Sequence, residues 1–315
     1  RRSSCRPPID WRLMNIYLIL QMASDAMGDR EAIVSGGQRM TFADLDRAAR
    51  QVAANLKTGQ RLSYLAENSP AVPAAIFGAA MAGTSFVPVN YRLAPDQIDA
   101  LMARLAPALL ISDQDKSFPD IENANESDIL VGEGQSGEAP DIDGAVAIEL
   151  FTSGTTGEPK SAILRHDNLM AYILGSVEFM SAGEDEATLI SVPPYHIAGI
   201  SAVLSSTYAG RNMVQLPNFS AETWIALAKE EAITHAFLVP TMLQHIVEHF
   251  AETGDALELP NLRALSYGGG KMPLAVIEKA MALLPHVSFT NAYGLTETSS
   301  TICLLGPEDH QTAMH

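Results

Sequence analysis

Phe151-Thr152-Ser153-Gly154-Thr155-Thr156-Gly157-Glu158-Pro159-Lys160 decides how the chain is read. A short apolar run, Ala147–Thr152, leads into a loop with two glycines, four hydroxyl side chains and one lysine. Glycines let the backbone turn and come close to an anion, amides and hydroxyls donate hydrogen bonds to it, and the lysine adds positive charge. The combination describes a polyphosphate cradle at the end of a strand. It is not a Walker A loop, because Pro159 stands where that pattern places its second glycine before the lysine.

Three further stretches share the strand-then-loop character. Asn291-Ala292-Tyr293-Gly294-Leu295-Thr296-Glu297 follows the apolar run Val287–Asn291. This puts an aromatic ring, two hydrogen-bonding groups and a carboxylate at a strand's carboxyl end, where open α/β sheets place ligands. Tyr267-Gly268-Gly269-Gly270-Lys271-Met272-Pro273 opens from another run into a helix, and its successive glycines permit close approach to a flat ligand. Pro193-Pro194-Tyr195-His196-Ile197-Ala198-Gly199 carries a histidine directly after a third strand. The other histidines, His166 among them, read as packing residues, and the scattered methionines as core filler.

Working outward, β-rich runs alternate with helical patterns, which predicts an α/β fold with layered, mainly parallel sheets. The predicted strands are Arg61–Ala66, Thr84–Val89, Ala108–Ser112, Ala147–Thr152, Ala187–Val192, Asn212–Leu216, His235–Val239, Arg263–Tyr267 and Val287–Asn291. Thr41 and Asp44 form a weak variant of the capping box, and Leu45, Ala48, Ala49, Val52 and Leu56 recur at helical spacing behind them. Ser220 caps a second helix, Pro240 opens a third that runs to Gly254, and Pro273 opens a fourth. Residues 113–144, rich in Asp, Glu, Ser and Gly, read as a linker or surface excursion between two α/β lobes.

Composition narrows the function classes. The 315 residues carry a net charge of −17, which argues against nucleic-acid partners, since those need a basic footprint. With 47% hydrophobic and 18% charged residues the chain reads as a soluble globular protein, and no apolar run reaches membrane-spanning length. Cys5 and Cys303 form no metal-ligand spacing and no disulfide framework, which fits a reducing cytoplasm. The arginines at 1, 2 and 6 before the apolar run Leu13–Leu20 imitate a signal peptide. The preferred reading begins the native chain at Met14, with residues 1–13 an expression remnant.

Together these motifs resemble the adenylate-forming superfamily of acyl-CoA synthetases, aryl-CoA ligases, luciferases and peptide-synthetase adenylation domains. Thr41–Leu45, Glu67–Pro70 and Ala82–Leu93 add to the likeness, which spans about residues 14–305. The resemblance implies the large N-terminal domain of that fold, without its small C-terminal domain, and assigns roles residue by residue. Thr152, Ser153, Gly154, Thr155, Thr156, Gly157 and Lys160 would hold the phosphates, with Lys160 and Thr156 serving catalysis. Ser161 stands where the family usually has a glycine. Gly268, Gly269 and Gly270 would edge the adenine and the acyl pocket, although the family usually has Ala and Pro at the places of Gly270 and Lys271. Tyr293, within Tyr293-Gly294, would pack on the adenine, Thr296 would bond the α-phosphate, and Glu297 would help hold Mg²⁺. His196 would gate the acyl pocket and take part in catalysis there.

The implied reaction is ATP-dependent activation of a carboxylic acid to an acyl-adenylate, followed by transfer to coenzyme A. Amino-acid-activating relatives carry an Asp beside the position of His196. This chain has none there, and a buried unpaired ammonium is costly, so fatty or aryl acids are expected. Ala198, Gly199, Gly268 and Ala292 suggest an apolar pocket. Two alternatives stay open: delivery of the acyl group to a carrier protein, and a nucleotide-binding module without turnover. The family's ribose-binding Asp, hinge and catalytic Lys would lie beyond Glu297, so the chain is expected to be impaired in thioester formation. It is also expected to expose apolar surface near its C-terminal end and to self-associate as a homo-oligomer.

Overall fold

A computed structural model describes residues 14–131, 134, 140, 145–152, 160–253 and 258–313. Its architecture is the layered α/β arrangement that the alternation predicts. Fourteen strands are described, and they form two sheets. They are β1 (Glu31–Ser35), β2 (Gln38–Thr41), β3 (Arg61–Leu65), β4 (Phe86–Pro88), β5 (Ala108–Ser112), β6 (Ile121–Ala124) and β7 (Val146–Thr152). The second half adds β8 (Lys160–Arg165), β9 (Ala187–Ile190), β10 (Asn212–Gln215), β11 (His235–Leu238), β12 (Ala264–Gly268), β13 (Ser288–Leu295) and β14 (Ser300–Leu305). One sheet runs β14-β13-β12-β11-β9-β10-β1-β2 and the other β6-β5-β3-β4-β7-β8. Pairing is parallel except for the β1–β2, β7–β8 and β13–β14 pairs.

The layers follow from which side chains each strand turns to which face. Ile33, Met213 and Ile190 of the larger sheet share one core with Leu62, Phe86, Leu109 and Ile148 of the smaller. Helices Tyr17–Met27, Phe42–Asn55, Ala71–Met81 and Ile197–Ala209 fill the space between. Every residue of Ala71–Met81 is buried, as an all-apolar helix requires. The opposite faces carry outer layers. Trp224, Leu243, Phe250 and Ile277 cover Val214, Leu238, Leu265 and Phe289, while Ile98, Leu101 and Leu105 cover Leu65, Val87 and Leu110.

Local signals act as their chemistry dictates. The Thr41 hydroxyl accepts from the Asp44 amide at 3.1 Å and the Asp44 carboxylate accepts from the Thr41 amide at 3.0 Å, a complete capping box. That bond to the Thr41 amide is the main reason the Asp44 carboxyl titrates below its usual value. Ser220 caps the Ala221–Glu230 helix in the same way, through the Thr223 amide at 3.1 Å. His166 is the packing residue its pattern implies. It is 1% exposed, accepts from the Ile16 amide through Nδ1 at 3.2 Å, and burial pushes its pKa down to about 4.

Two expectations need correction. Residues 113–144 are more than a linker: Ile121–Ala124 adds a parallel edge strand beside β5, and Glu126–Leu130 is a short helix that buries Ile129. Nor does this segment divide the two sheets, because β7 and β8, which come after it, complete the same sheet as β3–β6. The second concerns Asn291–Leu295, which does not follow its strand but lies within it, paired with β14 on the antiparallel side. Residues 1–13 and much of 132–144 lie outside the described residues. Large exposed apolar side chains gather toward the C-terminal end, at Tyr293, Leu295, Ile302, Leu304 and Leu305.

Candidate functional site

The motifs meet at the C-terminal ends of the parallel strands. Gly268 of β12 is the register partner of Ala292 in β13, so the glycine stretch and the Asn291–Leu295 stretch lie side by side. The β7–β8 hairpin comes to them from the other sheet: β8 packs against the single 3₁₀ turn Thr296–Thr298. Thr152 pairs with Lys160 at the described end of that hairpin, and the Thr152 hydroxyl donates to the Lys160 carbonyl at 3.4 Å. Lys160, Thr296 and Glu297 are thus carried by elements in direct contact, with Lys160 and Glu297 exposed and Thr296 half-buried. Ser153, Gly154, Thr155, Thr156, Gly157, Glu158 and Pro159 lie outside the described residues.

Two of the glycines answer to the backbone rather than to a ligand. A Cβ at Gly268 would stand 2.2 Å from the Ala292 carbonyl oxygen, and one at Gly294 would stand 1.7 Å from that of Ser300. Both are backbone atoms held by sheet pairing, so no side chain fits. Gly270 differs: its nearest neighbour, Pro240 Cγ, would be an ordinary 3.6 Å away. The turn after Gly294 is tied by Thr298, whose hydroxyl accepts from the Leu295 amide at 3.0 Å. Tyr293 projects with 60% of its surface exposed and has no ring partner among the described residues. An unpaired aromatic face of this kind suits a planar base.

His196 stands at the N-terminal boundary of the Ile197–Ala209 helix without a side-chain capping bond, and its amide donates to the Pro193 carbonyl at 3.1 Å. Its ring lies 4.6 Å from that of Tyr195, which meets Tyr91 edge-on at 5.4 Å. Crowding of the ring, and then the positive charge of Arg92, lower the His196 pKa. Burial pushes the Tyr195 hydroxyl up to about 12.

Behind His196 the helix presents Ala198, Ser201, Ala202 and Ser205, one face at helical spacing, to a cavity of about 570 Å³. Across from it lie Thr188, His235, Phe237, Ala264, Ser266 and Ala292 of the larger sheet. The volume is in the range of small-molecule sites, ~300–1,000 Å³. Ala198 and Ala292 line it as expected, whereas Gly199 and Gly268 do not. The expectation of an apolar pocket is corrected by the hydroxyls of Thr188, Ser201, Ser205 and Ser266. His235, read as a packing residue, belongs to this lining. The alternation of Thr188, His235, Ala264 and Ser266 on neighbouring strands was the available signal, since one strand face shows only every second residue.

Among the described residues this end of the site carries one lysine, Lys160, the hydroxyls of Thr152, Thr296 and Thr298, and one carboxylate, Glu297, groups able to bind a phosphate and a cation. No cluster of three or more metal-ligating side chains occurs among the described residues. A single carboxylate at Glu297 fits Mg²⁺, which leans on substrate phosphates rather than on an all-protein cage. Half-buried Ser161 has a side-chain oxygen that is out of solvent and without a partner among the described residues, next to Lys160 in β8. No helix among the described residues is long and apolar enough to cross a membrane.

Comparison with known proteins matches this arrangement. The chain is 30% identical over 307 residues to a fatty acid–[acyl-carrier-protein] ligase, ScoC, of Streptomyces coeruleorubidus, covering 89% of this chain and 58% of the relative. It is 28% identical over 287 residues to a feruloyl-CoA synthase of an Amycolatopsis species, covering 87% and 58%. The chain therefore spans less than two thirds of these curated relatives. Among solved structures, the N-terminal domain of FACL13 from Mycobacterium tuberculosis superposes with a TM-score of 0.79 at 24% identity, covering 95% of this chain and 80% of that one. The o-succinylbenzoate CoA synthetase of Bacillus subtilis, in complex with its acyl-adenylate intermediate, gives 0.80 at 23% identity, covering 96% and 63%. The family model for AMP-binding enzymes matches residues 20–315, and the chain belongs to that family.

Proposed function

We propose that the chain binds ATP at the strand ends and activates a carboxylic acid held in the adjoining cavity, as part of an acid–thiol ligase. The observation that carries this reading is the contact of β8, led by Lys160, with the Thr296–Thr298 turn, which runs on into Ser300 in the lining of a cavity sized for a small acid. Hairpins on opposite faces of the molecule would have ended it.

In this reading a carboxylate oxygen attacks the α-phosphorus, the new O–P bond forms, and the bond to pyrophosphate breaks. Such a displacement needs alignment and charge neutralisation more than covalent help. Lys160 neutralises charge developing on the leaving pyrophosphate, together with the hydroxyls of Thr152, Ser153, Thr155 and Thr156 and with Gly154 and Gly157 of the same motif. Thr296 donates to the α-phosphate, and the ring of Tyr293 packs on the base beside Gly268–Gly270. Mg²⁺ at Glu297 would add charge stabilisation on the phosphate oxygens. His196, at the head of the helix that lines the cavity, orients the acid at its entrance.

The acceptor is read as coenzyme A. A carrier protein is the second reading, supported by the Streptomyces relative, a fatty acid–[acyl-carrier-protein] ligase. Acid-dependent ATP–pyrophosphate exchange tests the first step. Lys160→Ala is expected to slow it by roughly 10²–10³, the usual cost of one lost donor to developing charge. Exchange at the wild-type rate contradicts the assignment.

A further inference from the structure

The cavity runs along the strands rather than across them. Its mouth row holds Ala292, the register partner of Gly268, and its far row holds Thr188, His235 and Ala264, which are register partners of one another. Four residues of β12 separate the rows, which is ~13 Å at about 3.3 Å per residue. The acid's carboxyl belongs at the mouth, beside the phosphate site, so the far row meets the opposite end of the molecule.

That far row is polar in a specific way. Thr188 is 7% exposed, lines the cavity, and its hydroxyl has no partner among the described residues. The same holds for Ser201, one helical turn behind Ala198. His235 Nδ1 lies 2.8 Å from the Thr234 hydroxyl, which gives its own proton to the Ala187 carbonyl at 3.0 Å. The Glu186 carboxylate is 3.8 Å from the same nitrogen. Both neighbours favour a proton on Nδ1, so Nε2 is left as an acceptor.

Charge at this end is balanced. Arg211 donates from Nε and Nη2 to Glu186 at 3.0 and 2.8 Å, and Arg263 pairs with Asp185 at 2.5 Å. The two cations that act on His235, Arg211 and Arg263, are thus each paired with a carboxylate and offer no free positive charge to a buried anion there. A plain hydrocarbon end would leave Thr188 unpaired, at a cost. A hydroxyl, which donates once and accepts twice, satisfies both His235 Nε2 and the Thr188 hydroxyl.

We propose that the acid taken by this cavity carries a hydroxyl at the end away from its carboxyl, held between His235 and Thr188. The proposal rests on the nucleotide-and-acid reading above.

Non-hydrolysable acyl-sulfamoyl adenosines, which mimic the adenylate without turnover, test it by calorimetry. Three acyl groups suffice: para-hydroxycinnamoyl, cinnamoyl and para-carboxycinnamoyl. The hydroxylated mimic should bind about tenfold more tightly than the other two, the yield of one satisfied hydrogen bond. Thr188→Val, nearly isosteric, and His235→Phe should each abolish that preference while leaving cinnamoyl binding in place. Equal affinities, tighter binding of the carboxylated mimic, or a preference that survives both substitutions overturns the proposal. Failure of all three mimics to bind overturns the underlying nucleotide-and-acid reading, and this one with it.

Discussion

The larger sheet has two halves that differ on one face. In the β9-β10-β1 half, Ile190, Met213 and Ile33 press into the shared core at 0–3% exposure. In the β11–β13 half the same face carries His235, Phe237, Ala264, Ser266 and Ala292, and the cavity lies over it, reaching Thr188 of β9 at the boundary between the halves. The outer face is alike in both, with Leu189, Val214, Leu238, Leu265 and Phe289 under the same helices. The candidate site therefore arises where the inner face exchanges close-packed aliphatic side chains for a mixture of small and polar ones with Phe237, while the sheet beneath stays intact. The outer layer holds the strands in register, and the inner face is free to hold a ligand.

The sharpest way to break this comparison is at the seam of the open half. Gly268→Ala would drive a Cβ into the Ala292 carbonyl and separate β12 from β13. A loss of about 4 kcal/mol or more in urea unfolding is expected, the range of severe backbone overpacking. A change under ~1 kcal/mol would show that the open half tolerates loose pairing.

Core truncation compares the halves directly. Ile33→Ala in the covered half should cost about 3–4 kcal/mol, as buried aliphatic truncations do. Phe237→Ala should cost only ~1 kcal/mol, because that ring already faces the cavity. Equal costs would mean that both faces are packed alike.

Acid titration comes next. Burial depresses the His166 pKa from 6.5 to about 4, and His235 is pushed down to about 4 by burial and then by Arg211. The unfolded chain binds these protons first, so the stabilisation is complete above pH ~6.5 and is lost as pH falls toward 4. His166 contributes at most about 3 kcal/mol to that slope. His166→Gln should flatten the pH dependence of Tm more than His235→Gln does, since His166 is fully buried and the His235 side chain is 27% exposed. The reverse order would place the drier environment in the open half.

The smallest effect is at Gly270→Ala, where the added methyl meets Pro240 at an ordinary distance. Stability should change by less than ~0.5 kcal/mol, as for other unstrained surface changes.

Legibility followed burial. All nine strands with dense apolar runs were readable: β3, β4, β5 and β9, buried on both faces, write a continuous signal, and β11–β13 keep enough apolar residues on their outer face to show. The four edge strands were not: Gln38–Thr41, Ile121–Ala124, Lys160–Arg165 and Ser300–Leu305 close the two sheets and keep exposed positions. An edge strand is solvated along one side, so its sequence carries a weaker apolar pattern. Glu31–Ser35 escaped for another reason, its few apolar residues being too short a run between turns.

The residues proposed for the mouth of the site could be picked out in the sequence for the opposite reason. Thr152, Lys160, Gly268, Tyr293, Thr296, Glu297 and His196 sit in contiguous motifs whose chemistry shows in sequence order. The cavity behind them was not, because Thr188, Ser201 and His235 come from three distant segments and meet only through register and helix phase.

The proposed adenine-nucleotide site lies in the open half of the larger sheet, where β8 meets the Thr296–Thr298 turn. Equilibrium binding of ATP with Mg²⁺, measured by calorimetry on the wild type and on Tyr293→Ala and Thr296→Val, tests it most directly. We predict saturable binding that each substitution weakens about tenfold, one stacking or hydrogen-bond contact being worth ~1–1.5 kcal/mol. Absence of binding by the wild type, or affinities unchanged in both variants, would contradict it.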